Sequence, residues 1–334
     1  MEYSLNNKDI EYYTSNENKI DSIYINKAQI LLEALPYIKE YFGKIVVVKI
    51  GGSMMEDDRI MQSVLDDIIL MKYVGIKVVL VHGGGKQITE LMKEKNIKVE
   101  FVDGLRVTSK EAIEVVKMVL IGNINTKIVS FLNKHGSAAL GISGNDANFI
   151  ICRKKYYKGN GKNIDLGFVG QIVKVDTAFI TNILNNDYIP VVATLGTDMK
   201  GNIYNINADS CASEIAVALK AIKMILLTDV DGIIENEGRE ESADISSDII
   251  SDNAVKDDKN RKKAGRLISR LSSDKCLELI KSGSISTGMV PKVLACIDSL
   301  KGGVARTYII NGTAEHSILV EIFTDKGIGT MITL

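Results

Sequence analysis

IVVVKIGGS, residues 45–53, and KVVLVHGGGK, residues 77–86, are the stretches that decide the fold of this 334-residue chain. Each is a short run of mostly apolar residues that ends in glycines. Neither shows the alternation of polar and apolar positions that a half-exposed strand shows. Continuous apolar runs of this kind are typical of parallel strands that are covered on both faces. The two stretches therefore predict buried parallel strands.

The same pattern recurs along the rest of the chain. Stretches with helical periodicity separate further apolar runs, namely SAALGI, FIICR, VGQIVKV, YIPVVAT, KMILLTDV and ARTYII. Strands that alternate with helices form α/β folds with a largely parallel sheet. We therefore predict a three-layer αβα sandwich with a central, mostly parallel sheet, preceded by a kinked N-terminal helix.

The composition argues against several classes of protein. Apolar residues make up 46% of the chain, which is enough for a sizeable core and argues against global disorder. The 41 basic and 42 acidic residues give a formal net charge of −1. The chain therefore has no overall positive charge that would attract nucleic acid, which argues against nonspecific nucleic-acid binding. No run of the sequence approaches the roughly 18 apolar residues of a membrane span, so no membrane association is expected.

The cysteines and the start of the chain bear on the compartment. The four cysteines are widely spaced and form no CxxC pair, which argues against a zinc site and a disulfide scaffold. Such cysteines suit a reducing compartment. The first residues resemble neither a secretory signal nor a transit peptide. We therefore expect a cytoplasmic protein.

The N-terminal part of the chain precedes the first predicted strand. Residues 1–20 are polar and rich in asparagine, so we expect a loose arm there. Residues 21–43 carry an apolar stripe that includes Leu31 and Leu35, which predicts a helix. Pro36 lies within this helix and predicts a kink.

Glycine-rich turns follow the first two predicted strands. In an open parallel sheet, ligands bind beyond the carboxyl ends of the strands, and glycines let backbone N–H groups approach a phosphate. For a single pair such as Gly51-Gly52 an ordinary tight turn is the favoured explanation, but two such turns, each closing an apolar strand, favour an anion site. Lys49 lies within the first strand, where burial of its charge is costly unless it faces an anion. The alternative is a side chain that extends to solvent at the strand end.

Other polar residues near strand ends have ordinary alternatives. Arg106 could bind a carboxylate through its planar guanidinium group, or it could lie on the surface. Asn205, Asn207 and Asp209 stand at one strand-to-helix junction, where they could orient lysines and bind a ligand, although Asn207 could be a simple helix cap. Asp231 precedes a glycine, which is typical of a turn.

Several motifs together resemble the amino acid kinase family. They are EALPYI, VKIGGS, LVHGGGKQI, DGLRVT, YNINAD, ILLTDVDGI, GMVPKV and EIFTDKGIGTMI. DGLRVT with YNINAD points, within the family, to the kinases of N-acetyl-L-glutamate. The resemblance implies the amino acid kinase fold, with a substrate-binding lobe over residues 44–194 and a nucleotide-binding lobe over residues 195–334.

The resemblance also implies an activity and its residues. It implies phosphoryl transfer from ATP, bound with Mg²⁺, to the γ-carboxylate of N-acetyl-L-glutamate in arginine biosynthesis. By matched position, Lys49 and Lys292 resemble the lysines that stabilise the transferring phosphoryl group, and Asp209 resembles the aspartate that organises them. The implied substrate residues are Gly84, Gly85, Arg106 and Asn205. The implied nucleotide residues are Gly52, Thr228, Asp229 and Asp231, and no residue is implied as a metal ligand.

EALPYI and EIFTDKGIGTMI resemble the arginine-inhibited, hexameric branch of these kinases. There the N-terminal helices interlace dimers into a ring, and arginine binds between that helix and the C-terminal segment. The implied candidates for the arginine site are Tyr24, Lys223, His316, Glu321 and Gly327. A homo-oligomer is therefore expected, and a signalling protein of the PII type is a further candidate partner.

Three stretches depart from the family pattern. Residues 143–147 and Gln171 differ from the usual residues, and the polar insertion over residues 235–265 is longer than the family norm. We interpret this insertion as a surface segment, the alternative being an interaction loop. Two other functions stay open, namely another carboxylate or carbamate kinase of the same fold and a non-catalytic arginine sensor.

Overall fold

The computed structural model describes residues 7–159, 162–235 and 266–334. Beyond Glu235, the expected insertion over residues 235–265 lies outside them. The helices are α1 (Asn7–Tyr41), α2 (Asp58–Tyr73), α3 (Gly85–Glu94), α4 (Lys110–Lys117), α5 (Thr126–Lys134), α6 (Thr177–Asn185), α7 (Ala208–Ala218), α8 (Ser273–Lys281), α9 (Val290–Lys301) and α10 (Ser317–Phe323). The strands are β1 (Ile45–Ile50), β2 (Lys77–His82), β3 (Phe101–Val102), β4 (Leu105–Arg106), β5 (Ala139–Ser143), β6 (Ile150–Gly159), β7 (Lys162–Val175), β8 (Ile189–Ala193), β9 (Leu195–Thr197), β10 (Ile203–Asn205), β11 (Lys223–Thr228), β12 (Ile234–Glu235), β13 (Arg266–Leu267), β14 (Arg270–Ser272), β15 (Arg306–Asn311) and β16 (Thr330–Thr333).

One eight-stranded sheet forms the centre of the fold, in the order β14-β16-β15-β11-β1-β2-β8-β5. Its neighbouring strands run parallel except for β15 and β16, which are antiparallel. Successive residues of a strand point to opposite faces, so Val46 and Val48 pack in one apolar core and Val47 packs in the other. Helices α2 and α5 contribute to the first core, and α7 and α9 contribute to the second. The predicted sandwich with a mostly parallel sheet is confirmed.

A small barrel of β6, β7, β9 and β10 stands beside the sheet. The large sheet divides between β1 and β11, with the strands of residues 45–193 on one side and those of residues 223–333 on the other. Residues 195–205 were expected in the nucleotide-binding lobe, but their strands pair with β6 and β7. Strand pairing therefore moves the boundary between the two halves to a point after Asn205, and one sheet runs through both halves.

Helix α1 is longer than the sequence predicted. It begins at Asn7, so residues 7–20 are helical and the expected loose arm is wrong over that range. Between Asn7 and Pro36 there is no glycine or proline that would end a helix. Pro36 lies inside the helix, and the kink there stays a prediction. Leu31 of the apolar stripe is 73% exposed, so the described part of the chain does not cover the stripe.

Helices α4 and α5 are joined by a π-helical segment, Met118–Asn125, into one continuous helix. The cap of α4 is Ser109, whose hydroxyl accepts from the N–H of Ala112. By length and composition alone, the continuous helix could cross a membrane, and 44% of its most apolar window is buried in this fold.

Candidate active site

Three charged side chains meet at the carboxyl edge of the sheet. Lys49, near the end of β1, is 6% exposed, which excludes the alternative that it extends into solvent. Its Nζ lies 2.8 Å from Oδ1 of Asp209, in the first turn of α7. Nζ of Lys292, in the first turn of α9, lies 3.4 Å from Oδ2 of the same carboxylate. One carboxylate thus bridges two ammonium groups that come from opposite halves of the sheet.

The charge balance of this cluster favours an anionic ligand. Burial alone would raise the pKa of Asp209, but the charges of Lys49 and Lys292 outweigh it and hold that pKa below its usual value. Two cations beside one anion leave a surplus of positive charge. The N-terminus of α7 adds to it. At that terminus the side chain of Asn207 accepts from the N–H of Ser210, so Asn207 is a helix cap.

Two glycine turns line the same pocket. A Cβ atom at Gly84 would lie 2.5 Å from Cδ1 of Ile124, so close packing favours glycine there. At Gly52 and Gly85, by contrast, a Cβ atom would meet nothing within 4 Å. Packing therefore does not explain these two glycines, and their backbone lies open to the pocket. Gly85 also begins α3, whose N-terminal N–H groups attract anions.

Arg106 reaches the pocket from the β3–β4 hairpin. It is 7% exposed, which excludes the surface alternative. Its Nη2 donates to the carbonyl oxygen of Gly85 and to Oγ1 of Thr89, each at 2.7 Å. The ring of Phe101 stacks 4.6 Å from the guanidinium carbon. Burial lowers the pKa of Arg106, but a guanidinium group stays charged in proteins. The hairpin therefore holds a fixed cation against the second glycine turn.

The substrate residues implied by the sequence lie together. Asn205, at the end of β10, donates through Nδ2 to Oγ1 of Thr108 at 3.4 Å. Gly84, Gly85 and Arg106 join it in one pocket of about 210 Å³. Sequence reasoning missed other members of the lining, because apolar and small residues carry no chemical signal of their own. These are Gly83, Ile88, Phe101, Gly104, Leu105, Leu120, Val169, Thr194, Ile206 and Ala208.

Apart from Gly52, the implied nucleotide residues lie at the next strand end rather than in this pocket. Thr228 ends β11, and Asp229 and Asp231 are exposed beyond it. Nδ2 of Asn311, at the end of β15, donates to Oδ1 of Asp231 at 2.8 Å. A separate pocket of about 300 Å³ opens there. Sequence reasoning missed its lining, which is Val230, Gly232, Ile233, Ile234, Ser284, Ile285, Ser286 and Met289.

A third pocket, of about 630 Å³, lies between the end of α1 and the C-terminal segment. Nζ of Lys223 lies 4.3 Å from the ring centroid of Tyr308 and 5.0 Å from that of Tyr41. Burial lowers the pKa of Lys223 to about 8. It also raises the pKa of Glu321, whose Oε2 accepts from the N–H of Ile328. Gly327, Glu40, Arg270, Arg306 and Asp325 also line this pocket.

Two of the five residues implied for the arginine site lie outside this third pocket. Tyr24 is 64% exposed. An α-helix rises 1.5 Å per residue, so Tyr24 lies about 25 Å from Tyr41 along the axis of α1. Nδ1 of His316 lies 2.7 Å from Oδ1 of Asp67, a buried residue of α2. Asp67 also accepts from the N–H of Ile318, so this pair caps α10. Matched position in a motif does not tell which way a side chain points.

Comparisons with known proteins agree with this geometry. A family model described as the amino acid kinase family matches residues 44–311. A protein of Caldicellulosiruptor bescii named acetylglutamate kinase is 46% identical over 316 residues, which cover 95% of this chain and 99% of that protein.

Two solved structures are similar in fold. They are N-acetylglutamate synthase from Neisseria gonorrhoeae complexed with coenzyme A and N-acetyl-glutamate (TM-score 0.76, 25% identity) and the same synthase complexed with coenzyme A and L-arginine (TM-score 0.71, 25% identity). Each match covers 92% of this chain, but only 63% and 65% of the respective synthase chains. The chain thus spans less than two thirds of the synthase.

Proposed function

The chain belongs to the amino acid kinase family, and we propose that it transfers the γ-phosphoryl group of ATP to the γ-carboxylate of N-acetyl-L-glutamate in arginine biosynthesis. The observation that carries this proposal is the Asp209 carboxylate, which holds the ammonium groups of Lys49 and Lys292 beside two glycine turns. A non-catalytic arginine sensor is not favoured, because such a protein would not need this cluster.

The chemistry needs positive charge rather than a base. The acceptor carboxylate has a pKa of about 4.3, so it is already ionised at neutral pH and needs no proton removed. It must, however, approach a triphosphate that is itself an anion. At about 4 Å and an effective dielectric constant near 20, each pair of like charges costs roughly 4 kcal/mol. The site must offset this repulsion and the charge on the transferring phosphoryl group.

The lysine cluster is suited to that task. Lys49 approaches from the half that carries the substrate pocket, and Lys292 approaches from the other half. Asp209 lies between them, so the two ammonium groups are held close without direct repulsion. Because the cluster is buried and already formed, little reorganisation is needed as charge develops in the transition state.

The pocket also favours an N-acetylated acceptor over a free amino acid. N-acetylglutamate has a second carboxylate, and the buried guanidinium group of Arg106 can bind it. Among the described residues that line the pocket, Asp209 is the one acidic side chain, and lysines occupy both its oxygens. A free α-ammonium group would meet no counter-charge there. Acetylation removes that charge, and Asn205 can bind the amide that replaces it.

The nucleotide is assigned to the strand ends beside this cluster. Gly52 offers open backbone to the phosphates, and Thr228, Asp229 and Asp231 lie next to the separate pocket of about 300 Å³, which suits the base and sugar. No group of three or more His, Cys, Asp or Glu side chains able to hold a metal occurs within the described ranges. Mg²⁺ bound to the nucleotide would supply further positive charge to the phosphates.

Trapping of the acyl phosphate with hydroxylamine tests the proposed reaction. We expect hydroxamate with ATP and N-acetylglutamate, and much less with glutamate, aspartate or carbamate as acceptor. The Lys49→Ala variant should lower kcat by about 10²–10³, because a preorganised cation is lost. Hydroxamate formed equally well from glutamate or aspartate would reject the proposed acceptor. Carbamate-dependent ADP release would instead favour another kinase of this fold.

We propose further that arginine inhibits the enzyme from the third pocket, of about 630 Å³. Lys223, Arg270 and Arg306 can face the carboxylate of arginine, and Glu40, Glu321 and Asp325 can face its two cationic groups. The roles proposed for Lys223, Glu321 and Gly327 are supported by their common position in this pocket. Tyr24 and His316 are not part of this proposal, since neither lines it.

Exposed apolar side chains support a homo-oligomer. Leu140 on the edge strand β5 is 42% exposed, and Met118 and Ile121 on the neighbouring helix are 53% and 40% exposed. Burial of such a patch against a second copy would make a dimer. The uncovered stripe of α1, which includes Leu31 and Leu35, could then join dimers into a hexamer. The unpaired, buried cysteines are consistent with a cytoplasmic location, and a PII-type partner stays a prediction.

A further inference from the structure

A buried polar link connects the second glycine turn to the π-helical segment Met118–Asn125. His82, the last residue of β2, is fully buried. Its Nδ1 lies 3.1 Å from the carbonyl oxygen of Gly83, and its Nε2 lies 3.0 Å from Nδ2 of Asn125. Nδ2 of Asn125 also donates to the carbonyl oxygen of Val191 at 2.8 Å. The link therefore joins the turn, the helix and strand β8.

The hydrogen-bonding groups of this link match one another. Burial lowers the pKa of His82 to about 4, so the imidazole is neutral at neutral pH and offers one donor and one acceptor. Nδ1–H can then donate to Gly83 while Nε2 accepts from Asn125. Both amide hydrogens of Asn125 are used, one on His82 and one on Val191. A buried link whose donors are paired in this way resists displacement.

Two glycines let the same helix lie unusually close to the turn and the sheet. A Cβ atom at Gly84 would lie 2.5 Å from Ile124 and 2.9 Å from Leu120, both in the π-helical segment. A Cβ atom at Gly141, on β5, would lie 2.0 Å from Oδ1 of Asn125. The segment thus contacts the turn twice, through apolar side chains at Gly84 and through the polar link at His82.

The π-helical geometry gives Asn125 its inward position. A π-helical stretch inserts extra residues into an α-helix and rotates the residues that follow, and such stretches occur frequently at functional sites. Here the segment ends at Asn125, and Thr126 next to it is already exposed. A regular α-helix through these residues would rotate Asn125 away from its present direction. The local distortion therefore has a specific consequence, which is the contact with His82.

We propose that His82 and Asn125 are positioning residues for the turn Gly83–Gly85. Neither lines the substrate pocket, so both act through the turn, whose three glycines line it. This inference rests on the proposed function. In a reaction that depends on fixed geometry, a displacement of about 1 Å at the turn can lower the rate by about 10².

The first test compares two asparagines of one continuous helix. Asn125→Leu keeps the size of the side chain and removes the link. Asn133→Leu removes side-chain bonds to Ala139 on β5 and leaves the turn alone. We expect Asn125→Leu to lower kcat by about 10–100-fold while the KM for ATP stays within about threefold, since chemistry depends on the turn. Asn133→Leu should change kcat by less than about threefold, even if it lowers the melting temperature.

The second test separates the two hydrogen bonds that His82 makes in this link. The amide of glutamine can place its oxygen near the position of Nε2, whereas asparagine can replace only Nδ1. His82→Gln should therefore keep the bond from Asn125 and retain most of the activity. His82→Asn should lose that bond and lower kcat as Asn125→Leu does. If Asn125→Leu yields no folded protein, this pair of variants decides the proposal.

The outcomes separate positioning from mere stability. Folded Asn125→Leu with a kcat within about threefold of wild type would overturn the proposal, as would equal activity of the two His82 variants. If the wild-type protein does not phosphorylate N-acetylglutamate, the proposed function fails, but the link can still be judged by amide hydrogen exchange. Gly83–Gly85 should then exchange faster in Asn125→Leu than in Asn133→Leu, and equal exchange would reject the positioning role.

Discussion

Lys292 and Asp209 lie 83 positions apart in the chain, and yet Nζ of Lys292 lies 3.4 Å from Oδ2 of Asp209. The contact joins the first turn of α9 to the first turn of α7. It brings the second ammonium group to a carboxylate that Lys49 already contacts. The proposed chemistry depends on this contact, because Lys49 approaches the acceptor carboxylate from one half of the molecule and Lys292 approaches the triphosphate from the other.

Replacement of the bridging carboxylate tests that dependence. Asp209→Asn keeps the shape but removes the charge that holds Lys49 and Lys292 together. We expect kcat to fall by about 10²–10³ in an ADP-release assay, as for the loss of other preorganised electrostatic groups. Asp298→Asn, at an exposed position of α9, is the matched control and should stay active. Turnover of Asp209→Asn within about threefold of wild type would contradict the proposed role.

Arg106→Lys tests recognition of the second carboxylate. Lysine keeps the charge but loses the planar fork that donates to Gly85 and Thr89. We expect the KM for N-acetylglutamate to rise by about 10–100-fold, which corresponds to about 1.4–2.7 kcal/mol, while the KM for ATP stays nearly constant. The exposed Arg153→Lys, on β6, should change neither constant. A parallel rise of both KM values would indicate a general distortion instead.

Lys223→Met tests the proposed inhibitory pocket. The change removes a buried cation that lies between Tyr41 and Tyr308 at the start of β11, whereas Lys49 is paired with Leu226 further along that strand. We expect turnover without arginine to persist and inhibition by arginine to weaken by at least about tenfold in the half-inhibitory concentration, the effect of losing about 1.4 kcal/mol of binding. The exposed Lys301→Met is the control. Unchanged inhibition in Lys223→Met would indicate that arginine does not bind in this pocket.

The lowered pKa of Lys223 also predicts a pH dependence of stability. Burial lowers the pKa of Lys223 to about 8 in the folded protein, whereas the usual pKa of lysine is 10.5. Between these values the unfolded chain binds more protons, so the free energy of unfolding should rise as the pH increases through this window. Urea unfolding of wild type and Lys223→Met at several pH values checks this expectation. Lys223→Met should lack this contribution, and identical pH slopes would contradict it.

Leu140→Glu tests the proposed dimer surface. Leu140 is exposed on the edge strand β5, so the change should leave the fold of one copy intact. A buried, unpaired carboxylate at an interface is costly, and we therefore expect a lower mass by light scattering after gel filtration. Val173→Glu, at an exposed apolar position of the barrel strand β7, is the matched control. Equal molecular masses for wild type and both variants would exclude this surface as the dimer interface.

Local patterns in the sequence predicted much of the fold. The runs that became β1 and β2 are apolar at most positions on both faces, which predicted strands of a covered sheet. The glycines after them marked the carboxyl edge of the sheet as a place for anions. Helix bounds were less predictable, since α1 extends through a polar stretch without a strong periodic signal.

The contacts of the site depend on packing between distant elements. No sequence pattern indicates that Tyr41 and Tyr308 enclose Lys223, that His316 turns to Asp67, or that Asn125 reaches His82. The alternation of strands and helices and the glycine turns at the strand ends could be predicted from the sequence, because they follow from local periodicity and backbone freedom. Which of the side chains meet could not be predicted, because helices must first pack against the sheet before a lysine on α9 can reach an aspartate on α7.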